Sequence, residues 1–159
     1  MEVALHANVC DTATSKVAAA LRPLFDELGE RLQGQYGGTM EHLWIDLELI
    51  ESHARGDGRQ LFPFRFQRRV SGYSRLGLPA IPDQFNVGHF SVRPDFHLIV
   101  SLPIDQVIPY VLSLIYGATS VLLEKQERLG GFDAVLFRTR FIDACRSIGH
   151  EVPNTLNAL

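Results

Sequence analysis

Apolar and polar residues alternate through EHLWIDLELIE: Leu43, Ile45, Leu47 and Leu49 fall on one side, His42, Trp44, Asp46 and Glu48 on the other. A period of two predicts a strand with one face in a core and the other toward water. After the loop SHARGDGRQ the alternation returns in LFPFRFQRRV, which sets Phe62, Phe64 and Phe66 against Arg65, Gln67 and Arg69. Residues 41–51 and 61–70 are expected to form an antiparallel hairpin. Placing Leu47 opposite Phe64 and Asp46 opposite Arg65 satisfies both faces in one register. A third strand is expected within 88–102, where Phe90, Val92, Pro94, Phe96, Leu98, Val100 and Leu102 keep one phase, with a bend at Pro94.

The other segments carry a helical period. Val17, Leu21, Leu24, Leu28 and Leu32 recur every three or four residues behind a cap at Asp11 or Thr12, and the stripe runs through Pro23 in register, so a kink is expected there. Gly34, Gly37 and Gly38 end this element. Residues 105–127 predict a helix that is apolar nearly all round, the mark of a central core helix or of a contact between copies of the chain. A last helix begins at Asp133, carries Phe137, Phe141, Cys145 and Ile148 on one stripe, and ends near Gly149. The expected architecture is one α+β domain over residues 1–159. It has a three-stranded or larger antiparallel sheet with helices on the Leu43, Ile45 and Phe64 face, in the order α-β-β-β-α-α.

Length agrees with one domain: 159 residues suffice for a core without metal or disulfide support. With 46% hydrophobic and 21% charged residues, disorder is excluded. Cys10 and Cys145 are too far apart in sequence for a metal-ligand motif. The start MEVALHANVCDTATSK has neither a basic region nor an apolar stretch of signal length, so a cytoplasmic location is expected. Gln106 to Leu123 carries no charge, yet Pro109, Ser113, Gly117, Thr119 and Ser120 interrupt it, and a buried helix is expected rather than a membrane span.

Charge changes the picture more. The net −3 conceals −6 over residues 1–51, +5 over 52–75 and −2 over the remainder. The basic block consists of Arg55, Arg59, Arg65, Arg68, Arg69 and Arg75. Arginine pairs in bidentate fashion with carboxylate or phosphate, so the block points to a macromolecular partner. Trp44, among charges on the polar face, has the character of an interface anchor. The expected contact surface is therefore Trp44, Asp46, Glu48, Arg55, Arg59, Arg65, Arg69, His89, Arg93 and His97.

Catalytic signatures do not appear: there is no Gly-rich phosphate loop, GxSxG, HExxH or CxxC, and no cofactor or metal is expected. The best expectation is a small non-catalytic protein-binding domain, of the kind found among bacterial toxin-neutralising immunity proteins and secretion chaperones. Two alternatives stand beside it. One is nucleic-acid binding through the arginine-rich hairpin. The element order resembles that of a double-stranded RNA-binding domain, but only in order, since the second helix starts IDQVIPYV without the lysines that family uses. The other is a small hydrolase or isomerase working through His97 and Asp95 on the polar sheet face.

Overall fold

The computed structural model describes residues 1–9, 12–49, 64–70 and 84–152. Along the chain they form β1 (Glu2–Val9), α1 (Thr12–Leu32), β2 (His42–Leu49), β3 (Phe64–Val70), β4 (Gln84–Val92), α2 (Phe96–Ser101), α3 (Ile104–Ala118), α4 (Ser120–Lys125) and α5 (Ala134–Ser147). The four strands lie in the order β1-β2-β4-β3. β1 runs parallel to β2, β2 parallel to β4, and only β3 is antiparallel to its neighbour. This is a mixed α/β arrangement, and it corrects the expected three-stranded antiparallel sheet.

The corrections have physical causes. EVALHANV is itself a period-two strand, with Val3 and Leu5 buried and Glu2 and His6 exposed. The long helix α1 carries the chain back so that β2 enters beside β1 in the same direction, as a helical crossover requires. Between β2 and β3 lies β4 instead of a direct hairpin contact: Phe64 stands opposite Phe90 and Arg65 opposite His89, while Ile45 stands opposite Phe90 and Asp46 opposite Ser91. The apolar residues explain the choice. Val87, Phe90 and Val92 of β4 are all fully buried, which suits a strand with neighbours on both sides. β3 carries Arg65, Arg68 and Arg69, and charge is what an edge strand tolerates.

The expected long strand also stops early, at Val92. Pro94 cannot donate to a ladder, and the Asp95 carboxylate accepts from the Leu98 N–H at 3.1 Å, starting a short helix that buries Phe96 and Ile99. Phe96, Leu98 and Val100, which keep the strand phase, are thus helical, and Leu102 caps the helix in an extended conformation. By contrast the helical stripe of α1 continues through Pro23 as expected, with Leu21, Phe25, Leu28 and Leu32 buried. The apolar stretch 105–127 is helical in two segments, α3 and α4, and Ile104–Lys125 is long and apolar enough to cross a membrane, with 56% of its most apolar window buried inside the protein. Asp133 caps α5 by accepting from the Leu136 N–H at 2.8 Å.

All five helices contribute to one core with Val3, Leu5, Leu43, Ile45, Leu47, Leu49, Phe90 and Val92. An aromatic group of Tyr36, Phe132 and Phe137 closes one side, Tyr36 meeting Phe137 edge-on at 5.2 Å and donating its hydroxyl to the Leu32 carbonyl at 2.7 Å. Gly38, at φ +71°, is pressed there against the 129–132 turn: an added Cβ would lie 2.5 Å from the Leu129 carbonyl oxygen. On β4, Gly88 leaves the room that Met40, Phe64 and Leu43 occupy.

Candidate functional site

Because the Leu43, Ile45, Leu47 and Leu49 side of β2 faces the helices, the alternation turns His42, Trp44, Asp46 and Glu48 to the opposite side. Parallel register places Glu2, Ala4, His6 and Asn8 of β1 beside them, and Val87, His89 and Ser91 of β4 on the other flank. β3 adds Arg65 next to His89. The result is a polar face of four strands.

Asp46 is its centre. Its two carboxylate oxygens meet two imidazoles, His6 Nδ1 at 3.2 Å and His89 Nε2 at 2.7 Å, so one carboxylate links the edge strand β1 to the two inner strands β2 and β4. The Asp46 and His89 side chains are each about one-fifth exposed (22% and 21%) while His6 is largely open at 57%. Glu48 accepts from Arg93 Nε at 2.8 Å, just beyond the end of β4, and His42 lies 3.0 Å from Glu2. Pairs held on adjacent strands lose little side-chain freedom when a ligand arrives, in contrast to a pair of flexible surface lysines and glutamates.

Of the residues expected to form the contact surface, Trp44, Asp46, Glu48, Arg65 and His89 do share this face, and Arg93 joins it through Glu48. Arg69 lies in β3 opposite Phe85, with only its backbone described. Arg55 and Arg59 fall outside the described residues. His97 does not belong to the face: it is exposed on α2, its ring edge-on to Phe96 at 5.8 Å. Asp95 is committed to capping that helix, and its N–H donates to the Tyr110 hydroxyl at 3.1 Å. The expected pair of His97 and Asp95 therefore does not lie on the polar sheet face. The helical turn sets the pair away from the sheet.

Sequence reasoning missed His6. Its signal was the alternation of Glu2 and His6 with Val3 and Leu5 in the first residues, which marks a strand whose polar side must fall somewhere.

Other chemistry is sparse. Among the described residues, no group of three or more His, Cys, Asp or Glu is arranged to hold a metal ion. Cys145 is fully buried on α5, and burial pushes its thiol up to about 12, the wrong direction for a nucleophile. No protein-family model, no curated protein and no solved structure matches the chain.

Proposed function

We propose that this protein works by binding a partner protein through the polar face of its sheet, a non-catalytic role of the kind filled by immunity proteins and secretion chaperones. The observation that carries the proposal is the strand-held, mixed-sign array around Trp44: Asp46 between His6 and His89, and Glu48 with Arg93. A large aromatic flanked by pre-oriented charges of both signs matches the anatomy of a protein interface, in which aromatic and arginine anchors dominate the energy and paired charges set register. The acids argue against a nucleic-acid partner. Asp46 and Glu48 lie on the inner strand β2, Glu2 stands on the neighbouring edge strand, and all three would repel a phosphate backbone.

A second role draws on the same centre. A carboxylate 2.7 Å from an imidazole is how a catalytic base is oriented, and Ser91 stands opposite Asp46 in the register. One experiment tests the binding role. A partner is isolated with the tagged protein from its native host and rebound in purified form to wild type, Trp44→Ala and Asp46→Arg. Loss of binding in both variants, with wild-type circular dichroism, supports a partner face. Undiminished binding by both rejects it.

A further inference from the structure

The sheet has two edges, and they differ. β3 presents arginines at one, the protection edge strands commonly carry, whereas β1 reads EVALHANV, with no lysine, proline or arginine to discourage another strand. The Glu2 N–H bonds inward to the Glu41 carbonyl at 2.8 Å, so by alternation the peptide groups of Val3, Leu5 and Ala7 point outward, away from β2. The first of these is already satisfied by a side chain that imitates a strand. The Val3 N–H donates to Gln33 Oε1 at 3.2 Å, and Gln33 Nε2 donates back to the Val3 carbonyl at 2.9 Å.

Among the described residues no such device covers the next two positions. The outward peptide groups of Leu5 and Ala7 make no hydrogen bond with any described residue beyond the sheet. Beside them, between β1 and α1, lies a groove of about 350 Å³, bordered on the helix by Arg22, Phe25 and Asp26. Arg22 and Asp26 are exposed, one turn apart, of opposite sign, and in no ion pair with a described residue.

We propose that two copies of this chain join here, β1 against β1 in antiparallel register, Leu5 of each opposite Ala7 of the other. Each such pair exchanges both of its backbone hydrogen bonds, and Val3, closed by Gln33, is not needed. The charges select a second copy as the occupant. A two-fold axis through the strand pair also sets α1 antiparallel to its copy, so Arg22 of each chain meets Asp26 of the other, twice over, as a self-complementary interface requires. The axis leaves both polar faces on the same side of one continuous sheet.

The test is molar mass by light scattering and sedimentation equilibrium on the full chain. Wild type is expected at twice 17.8 kDa. Ala7→Pro removes an outward N–H at an edge, where proline is tolerated by the monomer, and is expected to run as a monomer. Arg22→Asp alone and Asp26→Arg alone each replace two attractions by two repulsions and should weaken the dimer about tenfold or more. The double exchange Arg22→Asp with Asp26→Arg should restore it. A monomeric wild type at every concentration overturns the proposal. So does a dimer indifferent to all three single variants, which would lie on another surface such as α3 and α4.

Discussion

The two faces of β2 are one residue apart in sequence and opposite in physics. Leu43, Ile45, Leu47 and Leu49 are 1% exposed or less and sit under the helices. Trp44, Asp46 and Glu48, interleaved with them, stay half-buried on a face of histidines, acids and arginines. Exchange of water for apolar contact holds the first face, at roughly 25 cal/mol per Å² of apolar surface removed from water. The second gains little stability from its ion pairs, because partly exposed pairs contribute only about 0–1 kcal/mol each. A strand of this kind divides its labour: one side fixes the fold, and the other contributes little to it.

The largest expected effect comes from moving polar-face chemistry to the helix side. Leu47→Asp buries an unpaired charge, which costs several kcal/mol, and the chain should fail to give a cooperative melt. Truncation measures the same contrast more finely. Leu47→Ala should destabilise by about 2–5 kcal/mol, lowering the melting temperature by roughly 5–15 °C, whereas Glu48→Ala next to it should cost under about 1 kcal/mol. Equal losses would erase the distinction between the faces.

Alkali should act on the dry side. Desolvation raises the hydroxyls of Tyr36 and Tyr110 above their ordinary value of 10, the nearby Arg140 opposing this for Tyr36. A group whose value is higher folded than unfolded contributes stability that is complete below about pH 10 and is lost as the pH climbs past it. Urea titrations should therefore give a stability contribution that declines above about pH 10, with a shallower decline in Tyr36→Phe. A decline unchanged in that variant would show Tyr36 to be no part of it.

The smallest effect is a reactivity. In a Cys10→Ser background the Cys145 thiol, held up at about 12 by burial, should stay silent to a thiol reagent until the protein is unfolded. A cysteine placed by His6→Cys, at a side chain 57% exposed, should react at once. Rapid native labelling of Cys145 would mean that the core opens far more readily than its packing implies.

Much of this contrast is legible in the sequence, because it depends on local periods. The alternation of β2, the stripe of α1 and the Asp133 cap of α5 are consequences of neighbouring residues, and they emerge as expected. Strand partners are not local. Phe64 satisfies Phe90 as well as it would have satisfied Leu47, and only the competition for the central position, won by the more apolar β4, decides between them. The same limit governs the polar face. Trp44, Asp46 and Glu48 are visible as one side of one strand. Their neighbours His6 and His89 depend on parallel pairings made at long range, β1 to β2 across the helix α1 and β2 to β4 past the intervening strand β3. His97 misled for another reason: the six residues Phe96–Ser101 keep the strand phase yet form a short helix, and Pro94 with Asp95 tipped the balance.

The most direct measurement is the affinity of the co-purifying partner for Asp46→Arg, titrated calorimetrically beside wild type, with unchanged circular dichroism as the condition for comparison. If the polar face is the binding surface, reversing the charge at its centre should weaken the complex by about 2–5 kcal/mol, a factor of thirty or more. An affinity equal to that of wild type would contradict the assignment of this face.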